Sequence, residues 1–214
     1  MGSGTWSPDM IDSLEIDPRI KIREPKDLLE TTRVVRVNAF DEDSVKAFSV
    51  SMSMAHRTGQ PIIPVVIDSY GGYTYSLLAM IDIMKSSRVP VATIVQGKAM
   101  SCGAILFTCG TEGYRFMGPN ATLMIHDVSA REPHQKSEEV QVSAKETDRL
   151  NRKMYSIMDK NCGHEPGYSW DLVQQRGRTD WYLSPKQAVH HRYANHIGVP
   201  KMTTKVIVEM TFDF

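Results

Sequence analysis

An α/β fold built on a parallel sheet follows from three features of the sequence. The run Pro61-Ile62-Ile63-Pro64-Val65-Val66-Ile67-Asp68 is apolar throughout instead of alternating, as a strand covered on both faces requires. A glycine break, an amphipathic stretch and a second apolar strand follow it, so βα units repeat in series. The segment from Ser137 to Lys160 has sustained helical periodicity between start and stop signals, which predicts one helix much longer than its neighbours.

The elements follow in order. The first thirty residues, rich in Asp, Pro and Lys without a period, predict a flexible N-terminal arm (1–30) ahead of one domain (31–214). Arg33 to Asn38 predicts a short strand. Asp41-Glu42-Asp43 supplies a cap and negative charge for a helix from about Ser44 to Arg57, which Gly59 ends. After the strand at 61–68, Ser69-Tyr70-Gly71-Gly72 breaks the chain, and Leu77, Ile81 and Met84 mark a helix over Ser76 to Lys85. Val89 to Val95 predicts the next strand, and a helix begins near Ser101. Tyr114 to Met117 predicts a hairpin, followed by a strand over Ala121 to Ile125. The long helix carries Ser137 as cap, Glu138 and Glu139 in its first turn, and Gly163 beyond its end. Its apolar stripe, Val140, Ala144, Leu150, Met154, Ile157 and Met158, either covers the sheet or docks against a second copy of itself. A helix is expected from about Ser184, and a closing strand over Lys205 to Phe212.

Composition narrows the function. A length of 214 residues suits a single domain. Lys plus Arg (25) equals Asp plus Glu (25), so no net field draws the chain to nucleic acid or to an anionic membrane. No apolar run approaches a membrane span. Three cysteines cannot all pair within the chain and no leader precedes the domain, which predicts a reducing, cytoplasmic setting. Met1-Gly2 lacks the Ser or Thr that myristoylation wants at position six, where Trp6 stands.

Three residues could carry chemistry. Gln96 to Ala104 joins a buried strand to a helix through small residues, setting Ser101 at a helix N-terminus among unpaired N–H donors. The Cys102 N–H is one candidate for holding an oxyanion, and Gly71-Gly72, ending the neighbouring strand, supplies another. A serine that merely caps a helix looks the same. His126 ends the strand 121–125 at the same sheet edge, within reach of the Ser101 proton, although a histidine at a strand end is often only a surface residue. Asp180, expected to be buried by Trp181 and Tyr182, needs a donor that an imidazole N–H would supply. Alone, it also reads as a turn aspartate.

Four segments carry a resemblance: Asp68-Ser69-Tyr70-Gly71-Gly72; Gly97-Lys98-Ala99-Met100-Ser101-Cys102-Gly103-Ala104; Arg115-Phe116-Met117-Gly118-Pro119-Asn120 with Met124-Ile125-His126; and Asp180-Trp181-Tyr182-Leu183-Ser184. In this order and spacing they resemble the ClpP family of serine peptidases, from about Arg33 to about Val199. The resemblance implies a ClpP/crotonase-like superhelical fold of βα units with a long protruding handle helix. It implies a triad of Ser101, His126 and Asp180, and an oxyanion hole from the Gly72 and Cys102 amides. It further implies polypeptide substrates, a homo-oligomeric ring or a ring shared with paralogues, heptamers stacked in pairs, and an AAA+ unfoldase partner such as ClpX or ClpA. Tyr70, Cys102, Asp127 and Arg178-Thr179 depart from the family's usual residues.

Other readings stand beside this one. Cys102 at a helix start is an alternative nucleophile for a Cys/His mechanism. A non-catalytic ring subunit keeps the same fold, and a crotonase-type acyl-CoA enzyme uses the same pair of N–H donors. His190, His191 and His196 lack metal-ligand spacing and read as surface residues. No Gly-rich phosphate loop precedes Lys and Ser or Thr, so neither ATP hydrolysis nor any cofactor is expected.

Overall fold

The computed structural model describes residues 33–128 and 137–201. The predicted arm with its domain boundary at 30/31, and the closing strand expected over Lys205 to Phe212, lie outside the described residues. Seven strands are present among them: β1 Val35–Val37, β2 Ile63–Ser69, β3 Val91–Met100, β4 Arg115–Met117, β5 Thr122–Ile125, β6 Trp181–Leu183 and β7 His196–Ile197. Six helices accompany these: α1 Glu42–Arg57, α2 Thr74–Lys85, α3 Cys102–Thr108, α4 Ser137–Cys162, α5 Tyr168–Gln175 and α6 Pro185–His190.

The sheet runs β1-β2-β3-β4-β7, with β5 beside β3 and β6 beside β5; every pairing is parallel except β5 with β6. The apolar run became β2, whose residues Ile63 to Ile67 are all buried, so both faces are covered as its lack of alternation predicted. Helix α1 starts where the acidic cluster indicated. Asp41 accepts the Ser44 N–H at 2.7 Å and its own N–H donates to Ser44 Oγ at 2.8 Å, a reciprocal cap. Phe48, Met52 and Ala55 then face inward at helical spacing.

Two differences shape the site. Strand β3 continues past Val95 through Gln96-Gly97-Lys98-Ala99-Met100, a stretch expected to be a connection. Its pairing with β2 slips between Ile67 and Ser69, opposite Gly97 at φ +87, and the chain thereby turns toward the site without leaving the sheet. The hairpin expected near Tyr114 is absent. Gly118 N–H donates to the Val95 carbonyl at 3.0 Å and Ala121 N–H to Gly118 at 3.0 Å, so the Gly118-Pro119-Asn120 turn carries the chain forward along β3 instead of reversing it. Strand β4 consequently lies along Thr93–Val95, and β5 along Lys98–Met100 on the same strand.

The long helix divides the stripe that the sequence treated as one. Leu150, Met154 and Met158 are buried in the chain's own core, whereas Val140 and Ala144 remain exposed. The C-terminal half therefore packs into the chain's own core, against α3 and α5, each large side chain contributing about 1.5–3 kcal/mol of burial. Helix α5 and strand β7 were not anticipated. Helix α6 begins one residue after Ser184, which caps it with Gln187 across Pro185.

Candidate active site

Ser101 stands in the turn between β3 and α3 with φ 53 and ψ −119. A non-glycine residue rarely takes positive φ, and such a conformation costs on the order of 1–3 kcal/mol, which surrounding structure must offset. The surroundings do so from three sides. Ser101 N–H donates to Met124 on β5 at 2.8 Å, and its carbonyl accepts from Ala104 at 2.9 Å and Ile105 at 3.3 Å. Gly71, at φ +107, presses against it so closely that a Cβ there would lie 2.8 Å from Ser101 Cβ. The serine thus sits on a strained strand-to-helix elbow that lifts its hydroxyl above the sheet end.

Sheet register brings the other two residues in. Met100 pairs with Met124 in parallel, so His126 emerges beside the Ser101 turn. Strands β5 and β6 pair Leu123 with Leu183, Met124 with Tyr182 and Ile125 with Trp181; one step further sets His126 opposite Asp180. His126 Nδ1 and Asp180 Oδ1 are 3.5 Å apart, at the long end of a charge-assisted contact. Asp180 is not buried as expected, its side chain being 50% exposed. Alternation along β6 explains this: Trp181 and Leu183 turn into the core, while Tyr182 turns outward and its hydroxyl donates to Asp180 Oδ2 at 3.4 Å.

Ser101, Cys102, Gly72 and His126 line one pocket of about 270 Å³ with Tyr70, Ile105, Met124, Met154 and Tyr155. The serine and imidazole are not hydrogen-bonded to one another in it. Gly72 bridges to Phe40 in parallel fashion, with Tyr73 N–H donating to the Phe40 carbonyl at 2.7 Å. This pattern leaves the Gly72 N–H free of other described residues. The Cys102 N–H, first in α3, has no intrahelical acceptor either. The Cys102 thiol donates to the Gly72 carbonyl at 3.2 Å, and burial pushes its pKa up to about 11. A thiol kept neutral in this way is a poor nucleophile at pH 7, which removes the support for the Cys/His alternative.

Several residues around the site escaped the sequence reading as contributors. Tyr70 forms an exposed rim with Lys98 Nζ 4.2 Å over its ring, and Lys98 also pairs with Asp68 at 2.7 Å. Asp127 pairs with Arg178 at 3.1 Å and accepts from the Tyr155 hydroxyl at 2.8 Å; only their proximity in the fold reveals them. His191 is half-buried instead of on the surface, hydrogen-bonded to the Tyr168 hydroxyl at 2.7 Å. His190 and His196 are exposed as expected.

Among the described residues, no group of three or more His, Cys, Asp or Glu is placed to hold a metal, and no helix is long and apolar enough to cross a membrane. Compared with known families, the chain matches the model of the Clp protease family over residues 22–200. The match spans most of the sequence, so the chain belongs to the Clp protease family.

Proposed function

We propose that this chain is a serine endopeptidase, the proteolytic core of a compartmentalised Clp-type protease. The observation that carries the reading is the strained Ser101 turn, hydrogen-bonded to the strand whose end sets His126 opposite Asp180. Ser101 Oγ attacks the scissile carbonyl as His126 Nε2 takes its proton. Asp180 accepts from Nδ1, fixing the tautomer and balancing the imidazolium. The Gly72 and Cys102 N–H groups hold the oxyanion. His126 then delivers the proton to the leaving amine, and water, activated by the same imidazole, frees the acyl group from Ser101.

Family membership supports an oligomeric ring that works with a Clp ATPase on unfolded polypeptides, and the three free cysteines favour a reducing compartment such as the cytoplasm. The exposed first half of α4, with Val140 and Ala144, offers a surface for pairing one ring with another as a handle. Reaction with a fluorophosphonate probe, followed by mass spectrometry, tests the core claim. The adduct is expected on Ser101, and Ser101→Ala is expected to lose both labelling and peptide cleavage while staying folded. Labelling that persists in Ser101→Ala, or none in the wild type, overturns the assignment.

A further inference from the structure

Base and acid touch at 3.5 Å through a half-exposed carboxylate, a contact too loose and too wet to fix two chain segments by itself. A second, shorter contact lies immediately beside it. Asp127 follows His126, and Arg178 precedes Asp180 by two residues; Arg178 Nε reaches Asp127 Oδ2 at 3.1 Å. The Asp127 side chain is only 18% exposed, against 50% for Asp180, so the carboxylate of this second pair is the better shielded of the two, while its Arg178 partner stays half-exposed.

Both ends of the pair are anchored. The other Asp127 oxygen accepts the Tyr155 hydroxyl at 2.8 Å, and the next residue, Val128, donates its N–H to Asn151 Oδ1 at 2.6 Å. Tyr155 and Asn151 are buried and lie one turn apart on α4. Burial, and then the adjoining Asp127 carboxylate, hold the Tyr155 hydroxyl well above its ordinary pKa, so it stays a donor. On the other side, Arg178 takes φ +60, with its N–H donating to the Val173 carbonyl at 3.1 Å and its guanidinium 5.5 Å from the Trp170 ring centroid. A bulky residue held at positive φ indicates a turn whose shape is imposed by its contacts.

From this closed circuit, His126-Asp127 to Arg178-Thr179-Asp180 and back, we propose that the Asp127–Arg178 ion pair is a positioning clasp. It holds the acid-bearing turn against the end of the base-bearing strand and thereby sets the His126–Asp180 separation. The proposal rests on the triad reading above. Neither clasp residue lines the Ser101 pocket; each acts through the residue it adjoins. Tyr155 and Asn151 make α4 the fixed support, so the order of that helix is felt at the base.

The test uses the full chain, a short fluorogenic peptide and sedimentation to read particle mass. Arg178→Met and Asp127→Asn are each expected to lower kcat about 100-fold, as misplacement of a catalytic group by about 1 Å does, with KM nearly unchanged. The double variant should lose no more than either single one, because one interaction is removed once. Arg178→Lys should recover most of the rate, and the mass should stay constant throughout. Full kcat in both single variants, a change confined to KM, or a rate loss that accompanies a smaller particle overturns the clasp. The Arg178 side chain is 53% exposed, so its replacement leaves the core intact and keeps the test readable if Asp127→Asn folds poorly. Fluorophosphonate labelling separates the two claims: failure to label wild-type Ser101 sinks the triad, whereas normal labelling with a full-rate Arg178→Met sinks the clasp alone.

Discussion

Gly71→Ala probes how the serine is held. At φ +107 an L side chain is strained, and the new Cβ would lie 2.8 Å from Ser101 Cβ and 3.1 Å from the Met100 carbonyl oxygen. Neither atom belongs to a flexible side-chain end, so the Ser101 turn itself has to move. Gly59→Ala is the control, since Gly59 has φ +72 with nothing within 4 Å of its would-be Cβ. The control isolates the backbone term, about 1–2 kcal/mol, or a fall in Tm of about 2–4 °C per kcal/mol. Gly71→Ala should add a displacement of the nucleophile that lowers kcat about 100-fold, equivalent to about 2.7 kcal/mol of transition-state stabilisation. Steady-state hydrolysis of a fluorogenic peptide, run beside thermal denaturation of both variants, gives the comparison. A Gly71→Ala enzyme with wild-type kcat, or a Gly59→Ala enzyme that loses kcat equally, would refute the reasoning from close approach.

Asp180→Asn should lower kcat at least about 100-fold with little change in KM, because it removes both the tautomer restraint and the charge opposite His126; a near-wild-type rate in peptide hydrolysis counts against the triad. Met154→Ala should cost about 2–5 kcal/mol by urea denaturation, since Met154 is buried in the chain's own core. Val140→Glu with Ala144→Glu should leave chain stability within about 0.5 kcal/mol yet reduce particle mass if that half of α4 joins rings. Stability should also fall on acidification. Burial holds the His164 and His191 imidazoles below their ordinary 6.5, with nearby Arg192 adding to the effect on His164 and His190 and Arg176 to that on His191. The unfolded chain therefore takes up these protons first. The contribution is complete above about pH 6.5 and is lost as pH falls through the lower folded values. Urea titrations at several pH values should show a shallower slope in His164→Asn, and an unchanged slope argues against it.

The elements most legible in the sequence were those set by local chemistry. The unbroken apolar run of β2, the acidic cap of α1 and Ser184 ahead of Pro185 each announce themselves within a few residues. What escaped was decided by distant partners. Gln96 to Met100 looks like a connection because glycine and lysine interrupt it, yet β2 and β5 on either side hold it extended. Tyr114 to Met117 mimics a hairpin arm, but a neighbouring strand gave it a better parallel partner. Asp180 reads as buried from its aromatic neighbours, and only the alternation of β6 shows that one of them points away. The residues of the candidate site could be picked out singly; their meeting depends on two registers, Met100 with Met124 and Ile125 with Trp181, that no local pattern encodes.

The second of those registers has a consequence for how the chain tolerates change. After His126 the polypeptide departs through α4 and α5 and returns to the neighbouring rung of the same two-strand ladder, where Asp180 waits. The whole excursion is a loop whose two feet are bolted together, so apart from its contacts through Asn151, Tyr155 and Arg178 its length and content have little say in where base and acid stand. Added turns, shortened helices or a grafted recognition segment would be absorbed outside the ladder, provided the footings at Asn151, Tyr155 and Arg178 are kept. Such a layout lets the outer surface diversify toward new partners while the chemistry beneath it stays in register.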